Sequence, residues 1–256
     1  MNAARTTIDL NCDLGEGAEH DDELIRLVSS ANICCGIHAG SHELMAATVR
    51  LAIRHGVAVG AHPGHVDREH FGRRELPISP TDCAAVVAAQ IAAVARVAGG
   101  LLHHVKLHGG LYHQVGRDPA LAQAVAELLA ARWPRIVMYA ESGSHLALAA
   151  RTAGLVVAEE AFIDRRYLAD GTLVPRSFPE AMIDDPAEAA AQAVRLAADG
   201  MLATSAGGEI RVTADTLCVH GDGARAVEIA TAAREALAAV GIAIHPASCG
   251  SRVRSS

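Results

Sequence analysis

A chain of 256 residues that is 51% hydrophobic and 20% charged can bury one large core, so a single domain spanning residues 1–256 is the economical organisation. A formal net charge of −7 gives no basic field for nucleic acid, and no apolar run of about 20 residues reads as a bilayer span. Met1 to Asp13 has neither the charge pattern nor the apolar stretch of a secretory signal, which points to a cytoplasmic protein.

Short β-branched runs alternate with Ala- and Leu-rich stretches, the signature of βα units around a parallel sheet. Thr6 to Asn11 reads as a first strand running into Cys12-Asp13-Leu14-Gly15-Glu16-Gly17, with a short helix over Asp22 to Val28. Ser30 to Cys35 reads as the second strand and ends in Gly36-Ile37-His38-Ala39-Gly40. Ser41 then caps a helix that stops at Gly56. A third strand begins at Val57 and ends in Gly60-Ala61-His62-Pro63-Gly64. The polar stretch from there to Pro80, containing Phe71-Gly72-Arg73-Arg74, is a long loop of the kind that carries function. Thr81 or Asp82 opens a helix with Val87, Ile91, Val94 and Val97 at helical spacing.

Leu101 to Val105 is the fourth strand, terminating in Lys106-Leu107-His108-Gly109-Gly110-Leu111-Tyr112, and Asp118-Pro119 starts the next helix. Arg135 to Tyr139 and Leu155 to Ala158 are the fifth and sixth strands. The fifth ends in Glu141 and the sixth in the stretch Glu159 to Tyr167, which holds Glu160, Asp164 and Arg165. After a polar loop, Asp185-Pro186 caps a helix stopped by Gly200, and Glu209 to Val212 reads as a hairpin strand outside the main series. Thr216 to Val219 ends in His220-Gly221-Asp222-Gly223, and a last helix leads to Ile242. The chain beyond about residue 246 reads as a frayed tail. Seven or eight units in about 245 residues, with no GxGxxG turn and no Walker lysine, indicate an α/β protein of distorted TIM-like barrel form.

In such a barrel every strand ends on one face. That rule gathers Asp13, Glu16, His38, His62, Lys106 and His108 with Glu141, Glu160, Asp164, His220 and Asp222. A lone strand-end histidine is ordinarily a satisfied polar residue; recurrence at nearly every strand end is what marks a site. His103, His104, His113 and His245 read as structural or surface residues, and His42 as a secondary candidate. The carboxylates and imidazoles suit proton transfer or metal binding, and Lys106, Arg73, Arg165 and Arg176 suit an anion, a mixture fitted to hydrolysis of an acid-bearing substrate. Asp13, His38 and His62 could instead hold a divalent metal. The six cysteines, without a CxxC pair, read as reduced buried thiols.

Several blocks closely resemble the LamB/YcsF family. Near the N-terminus these are Asp9 to Gly17, Ser30 to Gly40, Gly60 to Pro63 and Phe71 to Arg74; further on they are Val105 to Tyr112, Asp164 to Tyr167 and Cys218 to Asp222, in the same order. The resemblance runs from about Ile8 to Ile244. It implies a barrel of the glycoside hydrolase/deacetylase type and a role as the A subunit of an ATP-dependent 5-oxoprolinase, which opens 5-oxo-L-proline to L-glutamate together with subunits B and C. ATP is then the complex's co-substrate, handled at least partly by those partners, and a homo-oligomer is compatible. Asp13, His38, His62, Lys106 and His108 become the catalytic candidates. Glu16, Arg73, Arg74, Glu160, Asp164, Arg165, His220 and Asp222 become the substrate-binding ones. The family pattern differs at Ile37, Leu107, Gly110, His113 and the stretch Gly64-His65-Val66-Asp67. A stand-alone metal-dependent deacetylase or amidase, and a non-catalytic assembly subunit, are the alternatives that the residues leave open.

Overall fold

In the computed structural model, which describes residues 5–247, seven parallel strands close into a barrel. They are β1 (Thr7–Leu14), β2 (Ser30–Cys34), β3 (Ala58–His62), β4 (Leu102–Lys106), β5 (Val137–Glu141), β6 (Val156–Phe162) and β9 (Thr216–Val219). Closure is made where β1 pairs with both β2 and β9, while β10 (Ala243–Ile244) adds to the start of β1. A separate antiparallel hairpin joins β7 (Met201–Thr204) to β8 (Gly208–Arg211), which places the expected outlying strand. The tail beyond residue 247, with Cys249, lies outside the described residues.

Helices α1 (Asp21–Leu24), α2 (His42–His55), α3 (Pro80–Ala98), α4 (Gly109–Arg117), α5 (Pro119–Arg132), α6 (His145–Thr152), α7 (Pro186–Asp199) and α8 (Ala226–Ala239) surround the strands. Their starts are written in cap residues: the Ser41, Ser79, Asp118, Ser144 and Asp185 side chains accept backbone N–H bonds in the first turns of α2, α3, α5, α6 and α7. Two helices escape the sequence reading. In α4 the run Gly109-Gly110-Leu111-Tyr112 looks like strand-end turn chemistry but forms a first turn, and α6 is only eight residues long. The expected helix over Asp22 to Val28 shrinks to the four residues of α1.

Contrary to the sequence reading, helix α3 is, at 19 residues, long and apolar enough to cross a bilayer by length and composition. Half of that window is buried in the protein, with Val87, Ile91 and Val94 fully covered, as expected of a core helix.

The strands separate two kinds of interior. In β1 the outward residues Ile8, Leu10, Cys12 and Leu14 are buried under the helices, whereas Asp9, Asn11 and Asp13 alternate with them and point into the barrel. Barrel interiors of this class are usually filled by branched aliphatic side chains; here much of the filling is polar. Asp9 accepts from Ser29, Ser30 and Thr216, and Ser30 bonds Tyr139 across the barrel. His104 stacks on Tyr139 with ring centroids 4.1 Å apart and meets Asn32 at 2.9 Å. It is therefore structural, as the sequence suggests, and Gly60 makes room for it: a Cβ there would lie 2.1 Å from the ring. Cys12, Cys34, Cys35, Cys83 and Cys218 are free and buried.

Candidate active site

A cavity of about 980 Å³ opens at the C-terminal ends of the strands. Its floor is organised by Lys106, the last residue of β4, whose side chain is 3% exposed. The Lys106 ammonium donates to Asp13 Oδ1 at 2.9 Å and faces Glu160 Oε1 at 3.1 Å and Cys218 Sγ at 2.9 Å. Burial opposes this charge, but Asp13, Cys218 and Glu160 outweigh it and raise the lysine pKa well above its ordinary value. Asp13 answers in kind: burial would raise it, yet His62 and Lys106 hold it well below the usual carboxylate range. Glu160 lies deeper than the sequence suggests, because β6 continues to Phe162 and points this side chain into the barrel, where Asn11 donates to its Oε1 at 3.0 Å.

Beside the floor, three imidazoles meet two carboxylates. His62, at the end of β3, has Nδ1 2.9 Å from the Lys106 carbonyl oxygen and so donates there. His108 likewise donates Nε2–H to the Phe71 carbonyl at 2.8 Å. Their remaining nitrogens, His62 Nε2 and His108 Nδ1, stand 3.0 Å apart. Asp13 Oδ2 is 3.3 Å from the first and Glu16 Oε1 is 3.4 Å from the second. His38 stacks face to face on His108 at 3.8 Å and reaches Glu16 Oε1 at 3.1 Å. Burial lowers the pKa of His108, with His62 and His38 adding to it, and burial also lowers that of His38 against the pull of Glu16. For His62 burial works downward, but Asp13 outweighs it and the pKa is raised.

The ligand set anticipated from sequence is rearranged by this geometry. Donor atoms of Asp13, His62 and His108 lie within 4.8 Å of one another, and so do those of Glu16, His38 and His108. His38 therefore joins through Glu16, not beside Asp13.

Beside Asp13, at the end of β9, sits a dyad. Asp164 Oδ1 and Oδ2 lie 3.0 and 2.9 Å from His220 Nδ1, and Oδ2 also accepts the His220 backbone N–H at 2.8 Å. Asp164 is held below its usual range by His220 despite burial, and the imidazole edge faces the cavity. Next to it Arg165 lines the cavity although it is only 4% exposed. It donates to the Val174 carbonyl at 2.7 Å and, among the described residues, forms no ion pair with a carboxylate. Burial, and then Arg176, depress its pKa to about 10.

Towards the mouth, Arg73 pairs with Asp222 and both line the cavity. Arg74 is taken up differently: Nε and Nη2 bind Asp67 at 3.0 and 2.7 Å, and it is not among the lining residues. His42 is exposed at the start of α2, away from the cluster. His113, read as structural or surface, does line the cavity and comes within 4.0 Å of Glu141.

The LamB/YcsF family model matches residues 8–251. The chain belongs to this family. LamB/YcsF relatives from Brevibacillus brevis and Methylococcus capsulatus, each called the A subunit of 5-oxoprolinase, are 45% and 48% identical over 246 residues. Those alignments cover 93% of this chain and 97% and 95% of the relatives. The crystal structure of a lactam utilization protein from Thermus thermophilus is 46% identical, covers 93% of this chain and 99% of its own, and superposes with a TM-score of 0.87. At the level of fold alone, a peptidoglycan deacetylase from Bacillus subtilis superposes with a TM-score of 0.50 at 10% identity.

Within this LamB/YcsF barrel, the residues that sequence reasoning missed are the supports of the site: Asn11, Asn32 and Cys218. The alternation of β1, apolar at Ile8, Leu10 and Cys12 but polar at Asp9, Asn11 and Asp13, is the signal that would have found the first of them. Nothing local marks Cys218, which is an inward β9 residue of ordinary appearance.

Proposed function

We propose that this chain is the lactam-hydrolysing A subunit of an ATP-dependent 5-oxoprolinase, converting 5-oxo-L-proline to L-glutamate in a cytoplasmic complex with subunits B and C. The names of its relatives support the activity. The observation that carries the assignment to this site is Arg165: a buried guanidinium without a carboxylate partner among the described residues, on the wall of a cavity whose floor already holds acid–base groups. A buried cation without a counter-charge is costly, and a substrate carboxylate or phosphoryl oxygen supplies the missing partner.

In this reading the companion subunits handle ATP and activate the lactam by phosphorylation. Water then forms the new C–O bond at the lactam carbonyl carbon. His220, with Nδ1–H held by Asp164, accepts the water proton on its free ring nitrogen and returns it to the departing lactam nitrogen as the C–N bond breaks, which leaves the side-chain carboxyl as an acyl phosphate that a second water hydrolyses to L-glutamate and inorganic phosphate. Asp13 acts as an orienting carboxylate and not as the base, because Lys106 and His62 hold it in its ionised, weakly basic form. Arg165 faces the substrate anion, and Lys106 holds Asp13 and Glu160 in place on the floor. Arg73, with its partner Asp222, works at the mouth of the cavity, and Arg74 serves the loop that carries it.

The test is glutamate release from 5-oxoproline by the co-expressed three-subunit complex with ATP. Turnover is expected to require this chain, and Arg165→Met is expected to raise KM for 5-oxoproline by about 10- to 150-fold, the equivalent of roughly 1.5–3 kcal/mol for a charged hydrogen bond. The variant also gives up the guanidinium's hydrogen bonds to the Val174 and Ala181 carbonyls, so circular dichroism accompanies the kinetics to check that it is folded. An unchanged KM would overturn the assignment of Arg165, and full turnover after several of these groups are neutralised would leave the chain with assembly alone as its role.

A further inference from the structure

We propose that Asp13, His62 and His108 bind one divalent first-row transition-metal ion, with Glu16 at the fourth corner of the site. Such a site goes beyond the oxoprolinase reading and does not depend on it.

Four potential ligand atoms converge: His62 Nε2, His108 Nδ1, Asp13 Oδ2 and Glu16 Oε1. The edges of this figure are 3.0 Å for His62 to His108, 3.3 Å for His62 to Asp13, 3.4 Å for His108 to Glu16 and 3.9 Å for His62 to Glu16. A tetrahedral ion with metal–ligand bonds of about 2.0–2.2 Å has ligand–ligand edges of about 3.3–3.6 Å. These four of the six edges bracket that range, and the donor atoms of Asp13 and His108 lie within 4.8 Å of each other.

The outer shell is set for the same task. Each ligating histidine has its other ring N–H bound to a backbone carbonyl, His62 to Lys106 and His108 to Phe71, which fixes the tautomer that presents the lone pair inward. His38 donates Nε2–H to Glu16 and packs flat on His108, orienting both. The two oxygens of Asp13 are divided: Oδ1 accepts from Asn32 at 2.8 Å and Lys106 at 2.9 Å, leaving Oδ2 for the ion.

Charge points the same way. Asp13, Glu16 and Glu160 have side chains no more than 7% exposed, and the one ammonium among them is Lys106. The two negative charges left over match a divalent ion in a place where bare carboxylates are expensive. All four donor residues line the cavity, so a bound ion would be open to water and substrate. Two imidazoles with two carboxylates suit zinc and its first-row neighbours better than calcium or magnesium, which take all-oxygen shells.

The experiment uses the full chain after chelator treatment and dialysis, titrated with Zn²⁺ by calorimetry and with Co²⁺ by visible absorption, in the absence of 5-oxoproline, ATP and partner subunits. One equivalent per chain is expected, with a Co²⁺ spectrum of a four- or five-coordinate site. His108→Ala should abolish binding, and His38→Gln should weaken it by about 10- to 100-fold as an outer-shell change. Circular dichroism checks that each variant is folded, and if His108→Ala fails that check, His62→Gln takes its place. His220→Ala should leave the affinity unchanged, because the rival grouping Asp13, Cys218 and His220 is not the site. Absence of stoichiometric binding overturns the proposal, as does loss of binding in His220→Ala with retention in His108→Ala. Neither result bears on glutamate formation by the complex, so the two readings fail separately.

Discussion

Replacing Lys106 by Met removes the ammonium from the barrel floor while keeping most of the side-chain volume. Asp13 and Glu160, 7% and 0% exposed at their side chains, are then left facing the same space without a cation. Removing one member of a buried, hydrogen-bonded ion cluster costs about 3–5 kcal/mol. For a chain of this size each kcal/mol moves Tm by about 2–4 °C, so Lys106→Met should melt between about 6 and 20 °C below the parent. Urea unfolding followed by circular dichroism gives the free energy, and thermal melts give the shift. The double variant Lys106→Met with Glu160→Gln removes one of the two stranded charges, and a recovery of about 0.5–3 kcal/mol over the single variant is expected from the coupling of contacting residues. A single variant within about 1 kcal/mol of the parent, or a double variant no better than the single, would refute the picture of a floor organised around one buried lysine.

Two further outcomes follow from the cavity walls. Glu141 is raised from an ordinary value near 4.5 to about 7, by burial first and Glu160 second, so the folded state holds this proton more tightly than the unfolded chain. Stability is then lost as pH rises from about 4.5 through 7, by up to about 3 kcal/mol. Glu141→Gln should stabilise the protein at pH 8 and do little at pH 4.5 in urea titrations, and a pH-independent difference would contradict this. Gly110, where the family pattern differs, is a second point: a Cβ there would lie 2.3 Å from the Arg74 carbonyl oxygen. Gly110→Ala should cost about 1–3 kcal/mol through overpacking against the loop that carries Arg73, and an unchanged Tm would show that the loop yields freely.

The barrel was legible because its strands and helices obey different periods and its helices announce their starts with Ser41, Asp118 and Asp185. The face on which the site sits followed from parallel closure alone. What could not be read was depth and company. Glu160 looked like a loop-end residue until β6 proved to extend to Phe162, and the pairing of His38 with Glu16 instead of Asp13 depends on how α2 and the loop after β3 pack. Arg73 and Arg74 are neighbours of the same type, yet one lines the cavity beside Asp222 and the other is spent on Asp67. Such differences are set by tertiary contacts with no local pattern in the chain. The polar interior of the barrel was the one feature that the alternation of β1 did encode, since a strand buried on both faces has no reason to carry Asp9, Asn11 and Asp13 on alternate positions unless they meet partners inside.

Asp13 ties Lys106 to the histidine cluster, and the placement of the reaction in this cavity depends on it. Glutamate release from 5-oxoproline by the reconstituted three-subunit complex, compared between the parent and Asp13→Ala, tests that placement most directly. A fall of about 10²- to 10⁴-fold in rate is predicted, and an Asp13→Ala complex that turns over at the parent rate would contradict it.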